Sequence, residues 1–114
     1  MSLERVFKAL VSLGLSELDA RVYIYLALEG PKNSRVIVRT LKINQQQILQ
    51  SLINLQKKDI ISQHKENKTR FIALPFEKAL KLLIRKEKEQ TKTFQESLLQ
   101  KWNTLIKKNS TNSP

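Results

Sequence analysis

The chain has 114 residues, 40% of them hydrophobic, which is enough to bury the core of one small domain. It contains no cysteine, so disulfide bonds and cysteine-ligated zinc are excluded. Lysine and arginine number 21 against 10 acidic residues, and a net charge of +11 indicates a polyanionic partner.

The N-terminal part of the chain predicts two helices separated by a glycine. Apolar residues in the segment 3–12 recur at the spacing of an amphipathic helix, and Gly14 ends that helix. Ser16 is the predicted N-cap of a second helix over 17–29. This second helix is apolar nearly all round and ends at a glycine–proline pair, so we expect it to be central and buried.

Two shorter helices follow, in the order helix, short turn, helix. Asn33 or Ser34 is the predicted cap of the first helix, and Asn44 is the predicted cap of the second. The second helix, 45–58, has apolar residues that we expect to be buried, namely Ile48, Leu49, Leu52, Ile53 and Leu55. The pattern is typical of a helix-turn-helix, whose second helix enters the major groove of DNA.

After Asp59 the apolar pattern changes to that of β-strands. Short β-prone runs at 60–65 and 70–74 flank a polar four-residue turn, Glu66 to Thr69. Two such runs predict a hairpin, and its position directly behind a helix-turn-helix makes it a wing.

From Phe76 to Lys108 the helical pattern returns without a glycine or proline. Its apolar residues form two groups separated by the polar stretch 85–93. We expect the first group, Ala79, Leu80, Leu83 and Ile84, to seal the winged domain. The second group is the predicted dimer interface, a coiled-coil-like pairing with another copy, because an exposed patch of this size is unusual. It consists of Phe94, Leu98, Leu99, Trp102, Leu105 and Ile106. The alternative is an intramolecular contact made by a helix that bends back.

The predicted second helix of the motif has side chains suited to DNA. Amides pair with adenine in the major groove, and the predicted base contacts are Gln45, Gln46, Gln47, Gln50, Ser51 and Asn54. Cationic side chains neutralise phosphates, and the predicted phosphate contacts are Arg35, Arg39, Lys42, Lys57 and Lys58. Three residues frame the wing tip and are expected to reach a minor groove or phosphates: Lys65, Lys68 and Arg70.

The positive charge is concentrated in the part of the chain that holds these residues. Residues 1–30 carry a net charge of −1, residues 31–76 carry +7, and residues 77–114 carry +5. A lysine-rich surface that serves general solubility would not begin so abruptly. The alternatives that remain open are an ordinary lysine-rich surface whose basic side chains are only solvated, a plain polar helix face with helix-forming glutamines, and a charged wing that only protects an edge strand.

Catalytic and metal chemistry have little support in the sequence. The only glycines are Gly14 and Gly30, so a glycine-rich phosphate loop is absent. His64 is the only histidine, and we expect no metal site. The start has no signal-peptide pattern, and no window reaches the roughly 18 apolar residues of a membrane span. We therefore expect a non-enzymatic protein without a cofactor, located in the cytoplasm and associated with the nucleoid.

One stretch also resembles a known family. The segment Leu13-Gly14-Leu15-Ser16-Glu17-Leu18-Asp19-Ala20-Arg21-Val22-Tyr23, and more weakly 26–31 and 52–61, is similar to the TrmB-like archaeal transcription regulators. The resemblance covers roughly residues 8 to 84 and implies a winged helix-turn-helix, a duplex DNA ligand and dimerisation. Family members often carry a C-terminal sugar-binding domain that this sequence does not supply, so we expect no small-molecule effector. The glutamine-rich helix departs from the family pattern, and no operator is inferred.

These observations combine into one expectation with two alternatives. We predict a mostly α fold: a winged helix-turn-helix at 1–75, a long dimerisation helix at 76–108 and a disordered tail at 109–114. The predicted function is that of a homodimeric transcription regulator that binds a pseudo-palindromic duplex site. The first alternative is an architectural protein with little sequence specificity, since archaeal chromatin proteins that combine a winged helix with a long dimerising helix are also similar. The second is a winged helix used only for protein contact.

Overall fold

The computed structural model describes the backbone of residues 2–111 and the side chains of residues 2–108. The elements in chain order are α1 (Leu3–Ser12), α2 (Glu17–Glu29), α3 (Ser34–Leu41), α4 (Gln45–Lys57), β1 (Ile61–Lys65), β2 (Thr69–Ala73) and α5 (Phe76–Thr111). The mostly α class, the hairpin and the long C-terminal helix are thereby confirmed. Contacts divide the chain into two units, Met1–Ile84 and Arg85–Pro114.

The helix starts of the first unit follow the capping rule that the sequence indicated. The side chains of Ser16, Asn33 and Asn44 accept hydrogen bonds from the backbone N–H three residues later, at 3.0, 3.0 and 2.8 Å. After α1, Gly14 has φ +103°, and the Leu15 N–H donates to the Leu10 carbonyl at 3.2 Å. That glycine conformation lets the chain reverse into α2.

The core of the first unit surrounds α2. Buried apolar residues come from all five helices and from the hairpin: Leu10, Leu15, Ala20, Val22, Tyr23, Leu26, Ile37, Ile48, Leu52, Leu55, Ile60, Ile61, Phe71, Ala79 and Leu83. The prediction that α2 is central is confirmed by its fully buried Val22 and Tyr23. The start of α5 also belongs to this core, since Ala79 and Leu83 are buried in it.

The wing is a two-stranded antiparallel hairpin in which Ile61 pairs with Ala73 and Lys65 pairs with Thr69. The turn between the strands therefore has three residues rather than the predicted four, because Thr69 already belongs to β2. Lys32 adds a single bridge to this sheet: its N–H donates to the Phe71 carbonyl at 3.2 Å, and the Phe71 N–H donates back at 2.8 Å. This bridge joins the segment between α2 and α3 to the wing.

Two apolar residues of α4 lie outside the core, and the prediction that they are buried is wrong. Leu49 is 40% exposed and Ile53 is 45% exposed, whereas Ile48, Leu52 and Leu55 are buried. Side chains rotate by about 100° per residue along a helix. Because Ile48, Leu52 and Leu55 already face α2, the residue that follows Ile48 and the one that follows Leu52 are turned toward solvent.

The second unit contains the remainder of α5. The helix reaches Thr111, three residues beyond the predicted end at residue 108. Of the predicted disordered tail, residues 112–114 lie outside the described part of the chain. Every side chain described between residues 88 and 108 is exposed, including the six apolar ones of the predicted dimer interface.

Tyr23 gives the fold a dependence on alkaline pH. Its ring is buried and its hydroxyl donates to the Leu74 carbonyl, which joins α2 to the end of the hairpin. Burial raises the pKa of Tyr23 to about 12. In the folded state the Tyr23 hydroxyl therefore keeps its proton at pH values where the same hydroxyl in the unfolded chain, with a pKa of about 10, has lost it.

We expect the stabilising effect of this shift to be complete below pH 10 and to be lost as pH rises from 10 to 12. Two pKa units correspond to about 3 kcal/mol in the free energy of unfolding. Urea unfolding between pH 9 and pH 12 should show a steeper loss for the wild type than for Tyr23→Phe. Tyr25→Phe is the matched control and should keep the steep loss. Equal loss in wild type and Tyr23→Phe would assign the alkaline sensitivity to other groups.

Candidate nucleic-acid interface

The outward face of α4 carries the amide side chains that the sequence singled out. The helix packs against α2, α3 and β1 through its buried apolar residues, and the opposite side is open to solvent. Gln45, Gln46, Gln47 and Gln50 are exposed, and Asn54 is half-buried. Gln50 Nε2 donates to Asn54 Oδ1 at 3.0 Å. The pair leaves Gln50 Oε1 and the Asn54 amide hydrogens available, so it presents an acceptor and donors together, as adenine recognition requires.

Ser51 does not belong to this face, and the prediction that it contacts bases is wrong. Its side chain is 2% exposed, and its hydroxyl donates to Asp19 Oδ1 at 2.6 Å. Asp19 is itself buried near the start of α2. A hydroxyl that donates to a buried carboxylate satisfies a group that would otherwise be costly to bury, so the role of Ser51 is to hold α4 on α2.

The predicted phosphate contacts surround α4 on its neighbours in the chain. Arg35 and Arg39 are exposed one turn apart on α3, and no ion pair engages either of them within residues 2–108. Lys42 is exposed in the left-handed conformation that ends α3, with φ 56°. Lys57 is exposed, whereas Lys58 is half-buried at the end of α4. Along the chain, the described cations therefore lie both before α4 and at its C-terminal end.

The wing adds three exposed cations and a shallow cleft. Lys65 ends β1, Lys68 lies in the turn and Arg70 lies in β2, all solvent-exposed as predicted for the wing tip. An open cleft of about 400 Å³ borders the turn, with Lys68, Arg70, His64 and Glu66 among its lining residues. The single acidic group in that lining leaves the cleft cationic, which suits phosphate contact.

Leu49 and Ile53 complete the outward face of α4, although the sequence pattern had placed both in the core. They are the exposed apolar residues among the amides, with Gln46 before them and Lys57 after them. The helical spacing of Ile48, Leu52 and Leu55 is sufficient to identify Leu49 and Ile53 as residues outside the core. A helical projection centred on those three places Leu49 about 90° and Ile53 about 130° away from the middle of the buried face.

The second unit has its own apolar surface. At about 100° per residue, its six exposed apolar side chains fall within about 140° of the circumference of α5. They are Phe94, Leu98, Leu99, Trp102, Leu105 and Ile106, of which Trp102 is 60% exposed. Lys101 and Asn103 adjoin the two edges of the stripe, and Ser97, Gln100 and Thr104 lie on the opposite side of α5, so the stripe has polar borders.

The described residues contain neither a metal-ligand cluster nor a membrane-spanning helix. No cluster of three or more histidine, cysteine, aspartate or glutamate side chains in residues 2–108 has the arrangement of a metal site. No helix between residues 2 and 111 combines the length and apolarity needed to cross a membrane.

Residues of the first unit match a known protein family. Residues 10–77 match the family model described as sugar-specific transcriptional regulator TrmB, a span of more than half the chain. The search of curated proteins returned no match.

Two solved structures share the fold. MepR, a transcription regulator of the Staphylococcus aureus multidrug efflux pump MepA, superposes with a TM-score of 0.56 at 16% identity, covering 96% of this chain and 85% of its own. A MarR-like transcriptional regulator from Thermotoga maritima superposes with a TM-score of 0.51 at 19% identity, covering 92% of this chain and 97% of its own.

Proposed function

This chain belongs to the TrmB family of transcriptional regulators, and we propose that it acts as one by placing α4 in the major groove of duplex DNA. The observation that carries the proposal is the division of α4 into two faces. Its buried face is held by apolar contacts and by the Ser51–Asp19 hydrogen bond, so its outward amides are available for a ligand. Base edges in the major groove match those amides in size and in hydrogen-bonding groups.

Sequence preference in this proposal comes from the N-terminal half of α4. Gln46, Gln47 and Gln50 are the base-contacting residues, with Gln45 and Asn54 at the margins of the contact. Recognition helices address bases mainly with their N-terminal residues. A glutamine that pairs with adenine through both amide atoms discriminates against a wrong base by about 1–3 kcal/mol.

Affinity comes from the cations around that helix. Arg35, Arg39 and Lys42 lie where the preceding helix of the motif crosses the DNA backbone, and Lys57 and Lys58 lie at the far end of α4. Lys65, Lys68 and Arg70 extend the contact to a neighbouring groove or its phosphates. Each phosphate neutralised releases counterions, so binding will weaken steeply as salt rises.

The regulator is proposed to be a homodimer formed through the apolar stripe of α5. Six exposed apolar side chains on one helix exceed what a soluble monomer usually leaves uncovered, and the polar borders of the stripe suit a two-fold pairing with a second copy. Two copies of α4 related by that axis would bind half-sites about one helical turn apart, or a multiple of it, on a pseudo-palindrome.

Selection from random duplexes tests this function. The purified protein is incubated with the library near physiological salt and excess competitor DNA, and the retained duplexes are sequenced. We expect an enriched motif with two-fold symmetry. Gln47→Ala should relax the preference at one position in each half-site, whereas Gln100→Ala, the same change on the polar side of α5, should leave the motif intact.

The other outcomes identify the alternative functions. Retention without any motif would make the protein an architectural DNA binder that uses charge alone. Absence of retention even at low salt would contradict DNA binding and favour an acidic protein partner for residues 31–76, whose net charge is +7.

A further inference from the structure

We infer that Leu49 and Ile53 recognise the 5-methyl groups of thymine, which makes A·T base pairs a required part of the half-site. The inference rests on the proposed function and deepens it, because it names the bases that this helix face selects. The observation behind it is two large apolar side chains on the outward face of a helix whose remaining outward residues are amides and a lysine.

The placement of the two residues is more informative than their exposure. Isolated exposed apolar residues are ordinary, and Leu28 on α2 is more exposed than either of them. On α4, however, Ile53 lies near the middle of the outward face, one turn beyond Leu49 and between Gln50 and Lys57. Any duplex bound by Gln46 and Gln50 must therefore come close to both apolar side chains.

The major groove offers one partner that suits them. Its base edges are mainly hydrogen-bond donors and acceptors, and the thymine 5-methyl group is the largest apolar group among them. An apolar side chain pressed against a polar edge removes water without replacing its hydrogen bonds, which costs free energy, whereas a methyl group gains from the contact. Leu49 and Ile53 thus disfavour G·C pairs at the positions they cover as well as favouring thymine.

The spacing along α4 is compatible with two such contacts. Four residues advance about 6 Å along a helix axis, and successive bases of one strand are about 3.4 Å apart. Leu49 and Ile53 can therefore cover bases about two steps apart when α4 follows the groove. Gln50 lies between them with its amide paired to Asn54, in position to address adenine N6 and N7 in the same run of A·T pairs.

Exchange of thymine for uracil tests the inference, since it removes the methyl group and leaves the base pairing unchanged. The duplex is the motif enriched by the wild-type protein, with each thymine of one half-site replaced in turn by deoxyuridine. We expect two positions at which uracil weakens wild-type binding about fourfold each, the factor that corresponds to about 0.8 kcal/mol per buried methyl group.

The variants Leu49→Ala and Ile53→Ala should each bind thymine and uracil equally at one of those positions and keep the discrimination at the other. Both side chains are exposed, so the substitutions leave the core intact. Leu28→Ala, an exposed leucine on α2, is the matched control and should retain both effects.

The outcomes separate this inference from the function it rests on. Wild-type protein that binds its motif without distinguishing thymine from uracil overturns the inference and leaves DNA recognition intact. The same holds for a motif without A·T pairs and for discrimination that survives both alanine variants. Retention without a motif overturns the inference and the sequence-specific part of the proposed function, leaving only DNA binding by charge. A protein that retains no duplex overturns the proposed function and this inference together.

Discussion

Replacing Arg35 and Arg39 together by alanine is expected to lower the affinity for every duplex by about three orders of magnitude near 0.15 M salt. Each phosphate contact contributes about 0.9 to the slope of log affinity against log salt, and a dimer of the variant lacks four of them. Neither arginine is held by an ion pair in the described residues, so both charges are available to the DNA backbone. The loss should be uniform across sequences, because phosphate contacts position the protein without selecting bases.

Titration of the selected motif and of an unrelated duplex at several salt concentrations measures this change. The salt slope should become shallower by about 3.6 for both duplexes. Arg5→Ala with Arg21→Ala is the matched control, since it removes the same charge from the exposed surfaces of α1 and α2. A control variant that weakens binding as much would show that net charge matters and position does not. A loss confined to the motif would assign the two arginines to base recognition instead.

Replacing Leu98 and Trp102 together by alanine is expected to yield a monomer with at least about 100-fold weaker affinity for the selected duplex. A two-fold interface would lose four large apolar side chains, each of which contributes about 1.5–3 kcal/mol when buried. The effect on DNA follows from linkage: the second half-site of a dimer is bound at a high effective concentration, which raises affinity by about 10²–10⁴.

Sedimentation of the wild type and the variant measures the change in mass. Trp102 is the only tryptophan, so a blue shift of wild-type fluorescence with rising protein concentration reports on the proposed interface itself. Ser97→Ala with Gln100→Ala, on the polar side of α5, should leave the dimer intact. A double variant that remains dimeric would place the interface elsewhere on the chain.

Local signals account for the parts of the fold that could be predicted. Ser16 and Asn44 cap helices through bonds to residues three positions away, and such short-range preferences are visible in the sequence. The apolar period likewise identified Ile48 and Leu52 as core residues. The charged residues of α3 and of the wing were expected to be exposed because few charged side chains are buried, and they are.

The features that escaped prediction depend on residues distant in sequence. Ser51 looked like part of a polar face because its partner Asp19 is 32 residues away. Leu49 and Ile53 are an exception: the helical projection of Ile48, Leu52 and Leu55 already turns them away from the buried face, but their apolar character was taken to mean burial. The bridge to Phe71 involves a single residue outside the two strands, Lys32. One residue cannot show the alternating apolar pattern that identifies a strand in a sequence.

The hydrogen bond between Ser51 and Asp19 has a consequence for how such a regulator evolves. A rotation of α4 by one residue would leave the Asp19 carboxylate in the core without this donor, at a cost of about 1–3 kcal/mol or more. The angle of α4 is therefore maintained by its inner residues, whatever occupies positions 46, 50 and 53. If those positions contact bases as proposed, substitutions there after gene duplication would redirect a copy to new promoters while its stability is preserved, and a few mutations would be enough for a new regulatory circuit.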